Sequence, residues 1–462
     1  MNMYKFPDGF FWGAATSGVQ SEGSTNQINQ SIWNYWFEKD SKRFSEGIGP
    51  DIVCDTYNRF KEDVSLMKEI NFNSFRTSIQ WARLIKNFET GEVCDDAVRF
   101  YNEYIDELLK NKIEPIINLY HFDMPIELQE KFGGFESKKV IDLFVLFAQK
   151  AFELFGDRVK YWTTFNEPIV PVEGGYLYDF HYPNKKDPKL ATQVAYNIIL
   201  AHAKVINLYK TMNFSGKIGV ILNLTPSYAR SNSGDDLKAA YMADLFFNRS
   251  FLDPMLNGYF PQDLCEILKK HHLTPEINKI ELEEIKKSKV DFLGVNYYVP
   301  RRVKAKEKKD EKFNNPEYYF DYYINPDGRF NPYRDNNEIY PIALYDIAKN
   351  IQENYGNIPW YLAEIGIAMD LKSEGDIKEN GLIDDTFRTN LMKEHFIQLH
   401  KAIEEGSNCF GVHQWTFIDC WSWLNSFKRR YGFYRLDLET GERIKKKHGE
   451  WFAELAKNNY FN

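Results

Sequence analysis

The feature that most constrains this sequence is an eightfold alternation between a short strand-like run and a helical or loop segment. The strand-like runs are rich in β-branched and aromatic residues, and several intervening segments carry apolar residues at helical spacing. Strands alternating with helices predict a parallel sheet, and eight such units predict a closed (β/α)8 TIM barrel of the α/β class. The predicted strands are 10–17, 72–81, 113–120, 159–165, 217–224, 290–298, 360–364 and 409–417, with helices at 56–70, 97–109, 140–155, 190–212 and 386–405.

No linker rich in Pro, Gly or Ser divides the chain of 462 residues, so we interpret residues 1–462 as one barrel domain with long βα loops. The longest loop is 299–341, which we expect to be irregular. Its aromatic cluster, 318–323, is compatible with contact to a substrate's leaving group or with packing against the barrel. Its basic run, 301–309, is typical of solvated surface.

Composition excludes several classes of partner. A net charge of −8 argues against nucleic acid or an anionic membrane, and no apolar run is long enough to span a bilayer. The N-terminus lacks the pattern of a signal peptide, which favours a cytoplasmic protein. The five cysteines are scattered and lack paired spacing, which indicates reduced structural thiols; they are Cys54, Cys94, Cys265, Cys409 and Cys420.

Polar residues recur where the predicted strands end. In a barrel of this type the carboxyl ends of the strands form one cup, and active sites lie there. The sequence therefore predicts a site that gathers residues from seven of the eight strands, the fifth offering no candidate. Those residues are Gln20, Arg76, His121, Asn166, Glu167, Asn296, Tyr298, Glu364 and Trp415.

Two carboxyls stand out among these residues. Glu167 follows an aromatic strand and precedes a proline, and Glu364 closes the apolar strand 360–364. One carboxyl at a strand end is most often an ordinary surface or capping group, but a second in a matching place indicates paired-carboxylate chemistry. Glycoside hydrolysis is the commonest form of that chemistry.

Both carboxyls lie in segments that resemble known signatures. The segment 164–168, Thr-Phe-Asn-Glu-Pro, resembles the acid/base signature of the family 1 glycoside hydrolases, the β-glucosidase family. The segment 363–366, Ala-Glu-Ile-Gly, resembles that family's nucleophile signature, which is usually Thr-Glu-Asn-Gly. The departures, Ala363 and Ile365, flank the carboxylate without replacing it, and the resemblance covers nearly the whole chain.

The resemblance implies a retaining mechanism with two displacements. Glu364 is expected to attack the anomeric carbon, while Glu167 protonates the departing oxygen and then activates water. Arg76 matches the arginine that stabilises the nucleophile, and Tyr298 matches the tyrosine that donates a hydrogen bond to it. A core tyrosine whose hydroxyl bonds the backbone is the alternative for Tyr298.

The resemblance also implies a set of sugar ligands. Asn166 matches the amide that holds the sugar 2-hydroxyl, and Gln20 and His121 match donors to the other ring hydroxyls. Asn296, at the end of the sixth predicted strand, joins this group. A lone histidine is usually structural, so the assignment of His121 depends on the family match.

Two tryptophans complete the predicted sugar site. Trp415 resembles the indole platform under the sugar ring, and Trp423 resembles the second tryptophan beside it. A tryptophan at a strand end is often part of the rim packing alone, but two in one segment suit a sugar.

The informative departure from free-sugar enzymes is Ser422, where those relatives usually carry a glutamate. Serine can donate a hydrogen bond to a 6-phosphate that a glutamate would repel. Members that act on 6-phospho-β-glycosides carry this serine followed by a lysine and a tyrosine, and Arg429 and Tyr431 occupy those positions here. We favour a phosphorylated substrate on this pattern.

Three functions stay open at this level. The first is hydrolysis of 6-phospho-β-glucosides or β-galactosides, the second is the same chemistry on unphosphorylated β-glucosides, and the third is a non-catalytic sugar-binding barrel. No cofactor and no metal are expected, since the histidines show no ligand spacing. The preference for glucose or galactose and assembly into a homo-oligomer are both undetermined.

Overall fold

Eight parallel strands close into a barrel in the computed structural model, which describes residues 3–308, 310–370 and 382–462. The strands follow one another around the barrel in chain order, and the fifth and sixth pair like the rest. The predicted (β/α)8 barrel is confirmed. The strands are β1 (Phe11–Ala15), β2 (Ser74–Ser78), β3 (Glu114–Tyr120), β4 (Tyr161–Asn166), β5 (Lys217–Asn223), β6 (Phe292–Asn296), β7 (Trp360–Glu364) and β8 (Cys409–Trp415).

A helix follows each strand, and the five predicted from the sequence all form. Their ends agree with the predicted ones to within a few residues. The helices are α1 (Thr56–Glu69), α2 (Asp95–Lys110), α3 (Lys138–Phe155), α4 (Pro188–Thr211), α5 (Lys279–Lys287), α6 (Ile342–Asn354), α7 (Thr386–Glu404) and α8 (Lys447–Asn458).

Helix α3 illustrates how the sequence fixes this outer layer. The Ser137 side chain caps its first turn by accepting from Lys139 N. Its apolar residues recur at helical spacing, and Phe144, Phe147 and Phe152 are fully buried against the barrel. Burying such a ring contributes roughly 1.5–3 kcal/mol.

The inside of the barrel is filled by side chains. Ile116, Ile221, Phe292 and Tyr361 form one apolar cluster contributed by four strands. Because this cluster closes the barrel's interior, a substrate can be received only at an end of the barrel.

The β6–β7 excursion, residues 299–341, corrects the expectation of an irregular loop. Its strands Arg301–Ala305 and Phe320–Tyr322 join Ser227–Ala229 in a three-stranded sheet. Two of its basic residues are also not simply solvated. The Arg301 guanidinium lies 3.9 Å from the ring centroid of Phe247, and Arg302 pairs with Glu338 at 2.8 Å.

The aromatic cluster of this excursion packs largely inward. Phe320 is buried, and the Tyr319 ring stacks on Phe246 at a centroid distance of 5.9 Å. Of the two roles considered for the aromatic cluster 318–323, these two rings therefore show packing against the protein.

Short elements complete the fold. Strands Tyr4–Lys5 and Tyr460–Phe461 pair antiparallel, so the two ends of the chain meet. In the described parts of the chain, no helix is both long enough and apolar enough to span a membrane. The remaining strands of the described residues are Ile85–Asn87, Glu92–Val93, Tyr434–Leu436 and Arg443–Lys445, and their remaining α-helices are Gly18–Ser21, Ile32–Lys39, Trp81–Leu84, Ile126–Phe132, Ile169–Val172, Gly234–Asp244, Ser250–Leu252 and Gln262–Lys270.

Candidate active site

The carboxyl ends of the barrel strands carry the side chains that the sequence singled out. Arg76, Asn166, Asn296, Glu364 and Trp415 lie on β2, β4, β6, β7 and β8, respectively. Glu167 directly follows β4, and Tyr298 lies two residues beyond β6. Among the described residues, no group of three or more His, Cys, Asp or Glu is placed to hold a metal ion.

Arg76 is the buried cation of this cluster. Its Nη1 donates a 2.9 Å hydrogen bond to Asn166 Oδ1, and its Nη2 donates to Glu364 Oε1. The side chains of this ion pair are 0% and 5% exposed. A buried arginine requires an anion, and Glu364 supplies it.

The second oxygen of Glu364 is also held. Tyr298 donates a 2.6 Å hydrogen bond from its hydroxyl to Glu364 Oε2. Burial, and then the nearby charge of Glu364, raises the pKa of Tyr298, so this hydroxyl keeps its proton and acts as a donor. Ala363 and Ile365, which depart from the resembled signature, are buried in the core beside this carboxylate.

Glu167 sits at a strained backbone position. Its φ is 45°, in the left-handed region that favours glycine, and its N–H donates to Ile221 O at 2.9 Å. Asn296 Nδ2 donates a 2.9 Å hydrogen bond to Glu167 Oε1. Burial, followed by the charge of Glu364, raises the pKa of Glu167 to about 8. The carboxyl is therefore protonated at neutral pH.

Asn166, His121 and Asn296 form a polar chain beside the carboxyls. Asn296 Nδ2 donates to Asn166 Oδ1 at 3.1 Å, and Asn166 Nδ2 donates to His121 Nε2 at 3.3 Å. Burial, and then the charge of Arg76, lowers the pKa of His121 well below its usual value, so the imidazole is neutral. With Nε2 as acceptor, the proton lies on Nδ1, a buried atom that has no hydrogen-bond partner among the described residues.

An aromatic wall stands beside this chain. The His121 ring stacks with Trp415 at a centroid distance of 5.8 Å and with Trp423 at 6.1 Å, at interplanar angles of 20° and 22°. Trp423 in turn packs on Trp33 at 4.5 Å. The two tryptophans predicted to contact a sugar are thus both brought against the His121 ring.

Both ends of the Gln20 amide are already hydrogen-bonded within the protein. Its side chain is fully buried, its Nε2 donates to Trp421 O at 2.8 Å, and its Oε1 accepts from Ser17 Oγ at 2.8 Å. Contact of this amide with a sugar stays a prediction, whereas its bond to Trp421 holds the segment that carries Ser422 and Trp423.

Ser422, Arg429 and Tyr431 lie on one loop that returns to Glu364. The Tyr431 ring packs edge-on to Tyr298 at 6.4 Å, and a Cβ on Gly366 would lie only 3.1 Å from it. Arg429 Nη1 donates a 2.8 Å hydrogen bond to Tyr333 O. The structure therefore places Tyr431 next to the tyrosine that holds Glu364, with Arg429 tied to the β6–β7 excursion.

One residue of this neighbourhood was missed from the sequence. Arg334, in the β6–β7 excursion, donates from Nη1 to Tyr431 Oη at 3.3 Å. Nothing in its local sequence distinguishes it from other basic loop residues, because its position depends on how the excursion folds back over the barrel.

Comparisons with known proteins agree with this geometry. The model of "Glycosyl hydrolase family 1" matches residues 2–461. The chain is 51% identical to 6-phospho-beta-glucosidase GmuD of Bacillus subtilis and 34% identical to Beta-glucosidase A of Thermotoga maritima, each over 99% of both chains. The solved family 1 b-glucosidase from Thermotoga maritima superposes with a TM-score of 0.91 at 32% identity, covering 100% of both chains. The chain therefore belongs to glycosyl hydrolase family 1.

Proposed function

We propose that this glycoside hydrolase cleaves β-glucosides phosphorylated at O6, with retention of configuration and with Glu364 and Glu167 as the catalytic pair. The observation that supports this chemistry is that the two carboxyls have different surroundings, which favour a charged Glu364 and a protonated Glu167. Glu364 accepts from Arg76 and Tyr298, whereas burial and the nearby charge keep Glu167 protonated. Such a pair supplies a nucleophile and an acid at one pH.

In the first step Glu364 forms a bond to the anomeric carbon as the bond to the leaving oxygen breaks. Glu167 gives its proton to that oxygen, so the aglycone leaves as a neutral alcohol. Loss of this proton leaves Glu167 anionic, and Asn296 stabilises the new charge through its hydrogen bond to Oε1.

In the second step Glu167 acts as a base. It takes a proton from water, the water oxygen bonds to the anomeric carbon, and the ester bond to Glu364 breaks. Glu364 regains its charge, which the Arg76 guanidinium stabilises. Both carboxyls then return to their starting states.

Phosphate recognition is assigned to Ser422, Arg429 and Tyr431. Serine and tyrosine hydroxyls donate to phosphate oxygens, and arginine adds a charge-assisted pair of hydrogen bonds. Support also comes from identity, which is 51% to a protein named as a 6-phospho-beta-glucosidase and 34% or less to the two named Beta-glucosidase A. A cytoplasmic location is part of the proposal, because all five cysteines are free thiols.

The decisive experiment compares 4-nitrophenyl β-glucoside and β-galactoside with their 6-phosphates. The wild-type enzyme is expected to show a kcat/KM at least about 100-fold higher for the 6-phosphoglucoside. Arg429→Ala should lower that value by about 10- to 100-fold, the worth of charge-assisted hydrogen bonds, and leave the free glucoside unaffected.

Lys428→Ala is the matched control, since it removes an exposed neighbouring charge. It should change neither kcat/KM value appreciably. A wild-type preference for the free glucoside that Arg429→Ala does not alter would overturn the phosphorylated substrate and favour a β-glucosidase. A higher value for the 6-phosphogalactoside would replace glucose by galactose in the proposal.

A further inference from the structure

We infer that Arg334, from the β6–β7 excursion, is a second phosphate-binding guanidinium and a determinant of specificity for the 6-phosphate. The inference rests on the proposed function and extends its phosphate cluster beyond the loop of Ser422, Arg429 and Tyr431. It assigns to the excursion a direct part in substrate selection.

The geometry joins Arg334 to that cluster through one hydroxyl. Its Nη1 lies 3.3 Å from Tyr431 Oη, so the tyrosine oxygen accepts this hydrogen bond. The hydroxyl proton of Tyr431 then remains available to donate to another acceptor. A phosphate oxygen within reach of that proton would also lie near the guanidinium, which carries up to five N–H donors.

The charges of this neighbourhood are unbalanced. Among the described residues, no carboxylate forms an ion pair with Arg334 or Arg429, although both side chains are half-buried. Arg302 of the same excursion, which is also half-buried, is neutralised by Glu338 at 2.8 Å. Two guanidiniums around one tyrosine repel each other, and a phosphate with a charge of about −1.5 to −2 at pH 7 removes that repulsion.

Hydrogen bonds that do not involve the Arg334 side chain hold the backbone around this residue. Asn331 Nδ2 donates to Ala368 O at 3.1 Å, and Asn331 N donates to Asn337 O at 2.8 Å. Tyr333 O accepts from Arg429 at 2.8 Å. The loop is therefore fixed at both sides of Arg334, so truncation of this side chain removes a charge and leaves the loop in place.

The test measures kcat/KM for 4-nitrophenyl β-glucoside and its 6-phosphate in Arg334→Ala and Arg334→Lys. We expect Arg334→Ala to lower the value for the 6-phosphate by about tenfold and to leave the free glucoside within about twofold. Lysine keeps the charge but loses the planar fork, so Arg334→Lys should recover part of the loss. Arg329→Ala is the matched control, because Arg329 lies in the same excursion and its exposed guanidinium pairs with Glu394.

Product inhibition gives an independent readout. The inhibition constant of glucose 6-phosphate should rise by about tenfold in Arg334→Ala, and that of glucose should not change. Equal losses on both substrates would assign Arg334 a structural role through Tyr431 and overturn the inference. Unchanged values on both, in an enzyme that prefers the 6-phosphate, would also overturn it while the proposed function stands. A wild-type preference for free glucoside would instead reject the proposed function itself.

Discussion

Asn296 donates a 2.9 Å hydrogen bond to Glu167, although β6, which ends at Asn296, and β4, which precedes Glu167, do not pair with each other. Strand β5 lies between β4, which leads into Glu167, and β6, which ends at Asn296. Alternate strands of such a barrel direct their side chains into common layers, so β4 and β6 meet inside the barrel mouth. Arg76 on β2 extends this layer through its contact with Asn166.

The layer links the two carboxyls through side chains alone. Glu364 bonds to Arg76, Arg76 to Asn166, Asn166 to Asn296, and Asn296 to Glu167. Glu364 is bonded to the cation of Arg76, whereas Glu167 is bonded to the neutral amide of Asn296. Burial, and then the charge of Glu364, therefore raises the pKa of Glu167, whereas the Arg76 guanidinium stabilises the charged form of Glu364.

The first prediction separates the roles of the two carboxyls. Glu364→Gln should lower kcat by on the order of 10⁴-fold or more, because no bond to the anomeric carbon can form. Glu167→Gln should be slow on poor leaving groups but regain activity with 2,4-dinitrophenolate, which needs no proton, and with azide, which needs no base. Undiminished activity in both variants would remove the assignment.

The second prediction concerns pH. The pKa of Glu167 is raised to about 8, and the acid must be protonated, so kcat/KM should fall as pH rises through about 8. The hydrogen bond from Asn296 lowers this pKa, and Asn296→Ala should therefore move the basic limb upward by up to about one pH unit. Asn223→Ala, at the paired position on β5, is the control and should not move it.

The third prediction concerns the effect of the raised Glu167 pKa on the stability of the fold at different pH values. A carboxyl whose pKa is raised on folding binds its proton more tightly in the native state, so stability falls as pH rises from about 4.5 to about 8. Glu167→Gln has no such proton to lose. At pH 8.5 its melting temperature should exceed that of the wild type, and its free energy of unfolding should be higher by up to about 5 kcal/mol. Both gains should vanish near pH 4.5.

An exposed carboxyl provides the comparison for this effect. Glu442→Gln alters a surface glutamate and should give melting temperatures that follow the wild type at every pH. A pH-independent difference between Glu167→Gln and the wild type would show that the carboxyl does not retain its proton on folding.

The fourth prediction tests the buried ion pair. Arg76→Met leaves Glu364 charged and unpaired in the barrel mouth, which should cost about 3–5 kcal/mol of stability. Glu364→Gln in the same chain removes that charge and should restore part of the loss, as a double-mutant cycle in urea would measure. Additive losses in the double variant would contradict a direct pairing of the two side chains.

The sequence allowed the barrel to be predicted because its strands are short, apolar and locally defined. Strand β7 matches its predicted bounds of 360–364, and the two carboxyls could be located from their places at strand ends. The β6–β7 excursion was beyond such reasoning. Its first strand, Arg301–Ala305, pairs with Ser227–Ala229, a segment more than 70 residues earlier, and no local pattern indicates such a pairing.

The site shows the same division between local and distant information. Glu167 and Glu364 could be recognised from their own segments, whereas Gln20 could not be judged from its own. Its amide nitrogen donates a hydrogen bond to the backbone oxygen of Trp421, 401 residues later in the chain. Arg334 was missed for a related reason, since only the folded excursion brings it to Tyr431. Side chains whose partners lie far along the chain are the ones that sequence patterns leave undetermined.

The fifth prediction is that one substitution, at Ser422, shifts the proposed preference from the 6-phosphoglucoside toward the free glucoside. Ser422→Glu places a carboxylate where the proposal places a phosphate ligand, and the resulting repulsion should lower kcat/KM for the 6-phosphoglucoside by about 100-fold. Activity on the free glucoside should hold or rise, because a carboxylate can accept hydrogen bonds from sugar hydroxyls. Ser422→Gln has nearly the same size without the charge and should lose much less on the 6-phosphate. If Gln and Glu reduce that activity equally, the effect is one of size, and Ser422 does not face the phosphate.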